Sequence, residues 1–510
     1  MNALDRLIGF FSPHAALNRA RARSVLDVLS ETRRYDGANA GRLSGGWVAA
    51  GTSANAEVFP AAMRLRARAR DLVRNSIPGK KAKKVWINNV VGEGIIPRAA
   101  TGSAALDKKI DAAFLRWCAE CDAAGTLDFY GLQAQVAGAE YESGEVFVRF
   151  RNRRAADGLS IPLQLQVLEA DFCDITRQAW GTTSAGSYTL QGIEFDQIGS
   201  RIGYWLFSQH PGEMIVLPKQ ALVSNLVPAS EVLHVFWPDR PGQVRGVTNF
   251  AAVMMTLNDL GEYEQAEIVR KKIEACLAAF VTQNEGAAGP TLGTTKIDGK
   301  GNRIESFDPG MVGYLQPGED VKFNQPAAAG GYEGYKRARL RDVAAGLDVM
   351  YEQISGDLSQ VNYSSYRAGA MEFRQAVRAY RKRVLIPQYC TPIWRRFIDT
   401  AFVAGLIPKQ NYGVRWSSPG FESVDPKKEA EADTLQIRAG TKTLPQVIAE
   451  SGADPVQHMQ EISKSNALID QLNLVLDSDP RKSAKAGGPV PNMDNAQGGS
   501  TGSEGGASNA

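Results

Sequence analysis

Cys118 and Cys121 are separated by two residues, the spacing that puts two thiolates on one metal ion or in one redox-active disulfide. A zinc site needs four ligands, and no second cysteine pair follows, while His14, His210, His234 and His458 are scattered far apart in the chain. On the helix suggested by Leu106, Ile110, Phe114 and Trp117, the two cysteines read better as small apolar residues in a core. The stretch from Gly293 to Gly301 approaches a phosphate-binding loop, but it has five residues between Gly293 and Gly299 where that loop has four. Gly301 also stands where Mg²⁺ would need a hydroxyl, so the segment reads as a Gly-rich hairpin turn. His234 lies in the apolar run Val232 to Trp237 and is expected to be a hydrogen-bonded histidine on one face of a strand. There is no GxSxG, no HExxH, no GxGxxG after a strand, and no spacing that singles out an acidic pair. The expectation is a protein that is not an enzyme, with no catalytic, cofactor or metal residues.

The elements that would carry any other function can be bounded by composition. With 510 residues there is room for about three domains, at roughly 150 residues each. An apolar fraction of 44% with 22% charged residues is that of an ordinary globular protein. The formal charge of +3 hides a segregation: residues 1–98 sum to +10, 99–331 to −9, 332–420 to +7 and 421–510 to −5. Five cysteines at irregular spacing are not a disulfide framework and favour a reducing compartment. Leu7 to Phe11 is too short for a signal sequence and reads as part of a non-exported amphipathic arm. No window nears the roughly 18 apolar residues of a membrane span. Residues 481–510 are mostly Gly, Ser, Ala, Asn and Pro without an aromatic, the composition of a disordered tail.

Residues 1–98 are Arg-rich. From Met63 to Asn75, Arg64, Arg66, Arg68 and Arg70 alternate with apolar positions, but Ala and Arg favour helix over strand, so a helix is predicted whose basic face is either solvated or a nucleic-acid surface. Strands are predicted at Glu145 to Phe150, Pro162 to Leu168 and Ile202 to Phe207. One helix over Asn249 to Gln283, on the order of 50 Å long, and another over Tyr332 to Ile354 flank a small β module at 284–331. A loop from Gly356 to Tyr363 precedes a third helix. Phe373, Val377, Tyr380 and Val384 form its apolar stripe, and Arg367, Arg374, Arg378 and Arg381 form a second stripe for DNA phosphate or for carboxylates of a neighbouring subunit. Pro387 and Pro392 are expected to kink or break it. A strand at Tyr412 to Trp416 is followed by helices over 425–477, with Asp425 and Thr443 as N-caps.

This α+β order resembles the lambda-type portal proteins of tailed bacteriophages. So do particular segments: Leu4 to Pro13, Arg68 to Asn75, Asn89 to Ile95, Gly144 to Phe147, Glu169 to Asp171, His234 to Gly246, Phe307 to Gly310 and Ile354 to Ser365, together covering about residues 1–420. The resemblance implies a ring, usually of twelve subunits, at one capsid vertex, through which DNA enters and leaves. It divides the chain into an arm and wing (1–248), a first stem helix (249–283), a clip (284–331), a second stem helix (332–354), a tunnel loop (355–363), a long kinked helix returning to the wing (364–424), a helical crown (425–480) and the tail (481–510).

By the same resemblance, Asp357, Leu358, Ser359, Gln360, Val361, Asn362 and Tyr363 reach toward DNA in the channel, and Lys271 and Lys272 are candidates for a basic channel ring. The implied partners are other copies of the chain, double-stranded DNA in transit, the terminase large subunit, major capsid and scaffold proteins, and head-completion or neck proteins, with no membrane and no cofactor. The implied location is the virion, with host cytoplasm during assembly. The missing phosphate loop accords with ATP hydrolysis by the terminase. The runner-up reading is a structural protein of a phage tail or baseplate; a prophage or gene-transfer particle would share the physics.

Overall fold

The computed structural model describes residues 51–180, 186–213, 223–275, 279–283, 294–297, 303–306, 319–323, 331–410, 412–422, 425–474 and 476. The arm expected at Leu4 to Pro13, the Phe307 to Gly310 segment and the tail at 481–510 lie outside the described residues. The chain divides into two compact units, residues 1–57 and 58–510. Of the first, only residues 51–57 are described, and they end in the opening turn of helix α1; all other elements belong to the second.

The Arg-rich stretch is helical, as its composition demands: α1 runs Ala54–Asn75 and α2 runs Ile77–Val90, separated only by Ser76, whose side chain accepts the Gly79 N–H. After β1 (Ile96–Ala100) come α3 (Ala104–Cys118) and α4 (Phe129–Ser143), the latter capped by Asp128 and ended by Gly144. β2 (Glu145–Asn152) and β3 (Leu163–Glu169) follow. Then comes the meander β4 (Ala179–Trp180), β5 (Tyr188–Leu190), β6 (Ile193–Phe195), β7 (Arg201–Leu206) and β8 (Asn225–Pro228), and finally β9 (Val232–Phe236). β3, β2 and β9 form one antiparallel sheet with β2 at its centre, and β4 to β8 form a five-stranded sheet.

Because side chains alternate across a strand, β2 serves two cores. Val146, Val148 and Phe150 enter the main core with Phe114, Trp117 and Phe129 of α3 and α4, while Phe147 joins Ile193, Tyr204, Leu206 and Val227 in a second core with the five-stranded sheet. Cys118, the last residue of α3, and Cys121, just beyond the helix on which it was expected, are both buried in the main core. Burial pushes the Cys118 thiol up to about 12 and that of Cys121 up as well, which leaves both protonated and unreactive.

Beyond the sheets the chain forms α5 (Met254–Ala275), β10 (Ala279–Gln283), β11 (Thr294–Ile297), β12 (Arg303–Ser306), β13 (Glu319–Phe323), α6 (Tyr332–Gly346) and α7 (Tyr351–Ser355). β10 pairs with β13 and β11 with β12; of the Gly-rich segment that approaches a phosphate loop, Thr294–Ile297 is strand β11, and Gly293 and residues 298–301 lie outside the described residues. α8 (Tyr363–Tyr380) runs through a π-helical stretch, Arg381–Cys390, into α9 (Thr391–Val403). β14 (Gly413–Ser417) returns to pair with β1, and α10 (Pro426–Arg438), α11 (Leu444–Glu450) and α12 (Pro455–Gln471) complete the described chain.

Three expectations are corrected. The helix predicted over Asn249 to Gln283 occupies only 22 residues, about 33 Å, and Ala279–Gln283 is a strand; Phe280, Val281 and Thr282 are strand formers whose spacing merely continues a helical pattern. The helix predicted over Tyr332 to Ile354 stops at Gly346. A Cβ there would lie 2.3 Å from Val253 Cγ1, and Asp348 then turns the chain with φ 51° before α7. Pro387 does not break the third helix. Its missing N–H and its bulky ring are accommodated by the wider π-helical turns, which continue without interruption into α9 and Pro392.

Gly144 lets the start of β2 and the segment after β9 approach closely. It has φ 85°, and a Cβ on it would lie 2.2 Å from the Val247 carbonyl carbon, while one on Gly246 would lie 2.0 Å from the Gly144 oxygen. Gly144→Ala is therefore expected to cost roughly 3 kcal/mol or more, read as a lowered denaturation midpoint; an unchanged midpoint would contradict so close a backbone approach.

Candidate functional site

The loop between α7 and α8 is built by its own polar side chains. Gly356 (φ 70°) ends α7, donating its N–H to Glu352 O at 2.9 Å. The Asp357 carboxylate accepts the N–H and O–H of Ser359 at 3.0 and 2.6 Å and the Tyr351 hydroxyl at 3.1 Å. Those hydrogen bonds, led by the Ser359 hydroxyl, hold Asp357 below its ordinary range, so it stays an anion. Asn362 is the N-cap of α8, its side-chain oxygen accepting the Ser365 N–H at 2.8 Å, and Tyr363 is already helical. Leu358 is 64% exposed, Ser359 and Gln360 are exposed, and Val361 is half-buried. Tyr363 lies against Lys428 of α10, whose Nζ is 5.2 Å from the ring centroid.

The other sequence candidates separate. Lys271 and Lys272 are exposed near the C-terminal end of α5, where cations oppose the carbonyl end of the helix dipole. α5 pairs with α6 through Tyr263 against Tyr335, with centroids 4.7 Å apart, and through Lys336 to Glu264 at 2.6 Å.

Of the arginine stripe, only Arg367 and Arg378 are exposed. Arg374 donates to Glu422 O at 2.7 Å, and Arg374, Arg378 and Arg381 crowd the ring of Phe421. Arg381 leaves the stripe altogether. It is buried, and its guanidinium donates to Val90 O (2.7 Å), Asn89 O (2.8 Å) and Pro419 O (2.8 Å). Burial, with Arg378 nearby, pushes it down to about 10, so it remains charged at neutral pH. It clamps three segments within one chain and is closed to both DNA and a neighbouring subunit. Helical spacing shows which residues share a face but not that the 419–421 segment covers it.

A buried ionic centre joins Arg66, expected on a basic helix face, and His234, the expected strand histidine, to Glu145 and Arg245, which are not among the sequence candidates. Glu145, at the start of β2, has no solvent exposure and accepts from Arg245 Nε (2.8 and 2.9 Å), the Gly246 N–H (3.0 Å), Arg66 (3.3 Å) and His234 Nε2 (2.8 Å). Arg245 also donates to Gln191 O and Ala170 O, and Arg66 pairs with Asp171. Despite its burial, which raises it, the Arg245 charge and the His234 hydrogen bond hold Glu145 well below the carboxylate range, and Glu145 in turn raises Arg245. Burial pushes His234 down to about 4, so it is neutral, donating from Nε2 to Glu145, while Nδ1 lies 3.4 Å from Arg201 as acceptor. The expected strand histidine is thus present with its hydrogen bond. A signal for the centre does exist in the sequence: Glu145, Asp171, His234 and Arg245 all lie in the segments that resemble the portal family, although no one segment shows that they meet.

Glu169, Asp171 and His210 bring ligand atoms within 4.8 Å of one another, but they do not fit a cation. Arg70 already bridges both carboxylates, and His210 Nδ1 accepts the Gly212 N–H at 3.0 Å. The ring proton therefore sits on Nε2, the atom that would have to ligate.

Where α4 meets α8, Glu140 is buried without a cation. It accepts the Tyr380 hydroxyl at 3.0 Å and the Trp237 backbone N–H, yet burial, with Asp239 adding to it, pushes its carboxyl up to about 8.

The family model described as phage portal protein, lambda family, matches residues 40–381. A relative named "Probable portal protein" from Halomonas phage phiHAP-1 is 27% identical over 87% of this chain and 88% of its own length. Portal protein B of Escherichia phage lambda is 22% identical over 84% of this chain and 89% of its own. A chain of a solved gene transfer agent virion superposes at a TM-score of 0.42 with 15% identity, over 78% of this chain and 94% of that one, a likeness too loose to bear on function.

The Glu140 environment gives a signed pH dependence. Its carboxyl is ordinarily near 4.5 and is raised to about 8 in the fold, so the folded chain holds a proton that the unfolded chain has released between those values. Stability falls as pH rises through that window, and the group makes no difference below it. Relative to Glu140→Gln, the wild type is expected to lose up to about 1.4 kcal/mol per pH unit across the window, measured by denaturation at several pH values. Parallel profiles for the two proteins would refute it.

Proposed function

Because the chain belongs to the lambda family of phage portal proteins, we propose that it works as a closed ring, of twelve subunits as is usual in that family, and that DNA passes through its centre. The observation that carries this reading is that relatives named portal proteins align over most of their own length as well as most of this chain, so the likeness is to a whole protein. In this reading the sheets and the helices packed on them form the wing, α5 and α6 the stem, β10 to β13 the clip, the Gly356 to Tyr363 segment the tunnel loop, and α10 to α12 the crown. The clip would dock the terminase and then the neck proteins, the wing would meet capsid and scaffold, and the ring would assemble in the host cytoplasm before residing in the virion.

The loop's chemistry suits passage rather than capture. Its exposed tip offers an apolar Leu358 and the neutral polar groups of Ser359 and Gln360, while the Asp357 anion at its base disfavours phosphate. A ring repeats any weak contact about twelvefold, so strong attraction at each copy would stall a moving polyanion. Lys271 and Lys272 at the end of α5 would supply a diffuse basic ring without gripping.

Rings of about 660 kDa are expected on assembly, since one chain is 55.2 kDa. Deleting Leu358 to Val361 is expected to leave ring mass unchanged while packaging or DNA retention in assembled particles falls sharply. A deletion that leaves both unchanged would contradict the loop's role, and a chain that stays monomeric under all assembly conditions would contradict the ring.

A further inference from the structure

One face of the three-stranded sheet carries charge that neither the ionic centre nor the channel reading uses. The face of β2 that begins with buried Glu145 and Phe147 continues outward as Arg149, Arg151 and Arg153, the last just beyond the strand but still paired, its N–H donating to Pro162 O at 2.9 Å. Side chains at alternate strand positions stand about 7 Å apart, so the three guanidinium groups form a short ladder. Their cross-strand partners are neutral. Gln166 Oε1 accepts Arg151 Nε at 2.8 Å, and Gln164 Oε1 accepts Arg153 Nε at 2.8 Å. Gln164 is itself anchored, donating from its amide to Glu120 O and Asp122 O at 2.9 and 3.1 Å. Arg151 and Arg153 are therefore aimed through Nε, with their terminal nitrogens left over.

Among the described residues, none of the three has an ion-pair partner, and burial first, then the charges of Arg149 and Arg153, disfavour the Arg151 cation. β2 is the central strand, so this is not the charged guard that keeps a sheet edge from pairing. A row of like charges against glutamines, where glutamates would have neutralised it, is stable only at some electrostatic cost and is complementary to an external row of anions.

We propose that Arg149, Arg151 and Arg153 form a sequence-independent contact for the phosphodiester backbone of double-stranded DNA, on the wing and separate from the tunnel loop. DNA fits better than an acidic peptide. The ladder is regular, guanidinium pairs well with phosphate, and among the described residues β2, β3 and β9 carry no exposed large apolar side chain through which a peptide would be recognised. The proposal rests on the portal reading only for the presence of DNA, and contact with the wing would position DNA without reading its sequence.

The test uses the full chain and a short fluorescent duplex, with affinity measured by anisotropy across a salt series. The triple variant Arg149→Gln, Arg151→Gln, Arg153→Gln is expected to bind at least about tenfold more weakly near 0.1 M salt, and its plot of log K against log salt should be shallower by about 2.7, three phosphates at roughly 0.9 each. Replacing all three by Lys should restore the slope, which separates lost charge from lost folding. A triple-Gln variant with wild-type affinity and slope overturns the proposal, as does a wild type that prefers polyglutamate to duplex, since the face would then belong to an acidic protein. Either result leaves ring assembly untouched, whereas failure of the wild type to form rings sinks the portal reading and leaves the duplex measurement standing.

Discussion

Glu145 is an anion with no access to water, and its burial is tolerable only because Arg245, Arg66, His234 and the Gly246 N–H surround it. Those partners come from α1, β9 and the connection that follows β9. Arg245 extends the network to Ala170, after β3, and to Gln191, between β5 and β6. One carboxylate thus fixes where the central strand of one sheet, the meander of the other and the Arg-rich helix lie. A buried pair of this kind adds little net stability compared with an apolar substitute, because desolvation offsets the attraction. Its effect is on specificity: any packing that separates these segments strands a charge in the core. The close approach of Gly144 and Gly246 allows the centre to form, since a side chain at either position would push the two backbones apart.

Arg381 performs the same task at the other end of the main core. Its guanidinium meets carbonyls at the end of α2 and in the 419–421 segment, and it stands where α8 passes into the π-helical stretch. The helix that starts at the loop is therefore clamped where its wide portion begins, with Tyr380 bonded to Glu140 beside it. By contrast, the loop itself is held by hydrogen bonds among near neighbours, Asp357 to Ser359 and Asn362 to Ser365. Segments secured only by local, exposed bonds open at low free-energy cost. A loop able to yield on a rigid support suits the channel role proposed for it.

Local pattern is a good guide where burial is one-sided. β2 and β3 follow from alternation, and α8 from the stripe Phe373, Val377, Tyr380 and Val384, all buried. It fails where a residue's role depends on distant chain. Arg381 matches a helical stripe, but its carbonyl partner at Val90 is 291 positions away. Glu145 and Arg245, 100 positions apart, belong to two separate segments, and nothing in either marks them as a pair. The end of α5 is hard to place because Phe280 falls at a helical interval, although its β-branched neighbours favour the strand that β13 completes. Pro387 usually signals a break, and the alternative, widening the turn, leaves no mark in the sequence.

The dependence of both sheets and α1 on the Glu145 centre is tested most directly by native-state hydrogen exchange on Glu145→Gln. Removing the anion leaves Arg245 buried without its counter-ion, a change worth about 3–5 kcal/mol in comparable cases. The predicted result is lost amide protection in both sheets and in α1 together, with the helical run from α8 to α9 less affected. Loss confined to the amides next to position 145, with the five-stranded sheet as protected as before, would contradict it.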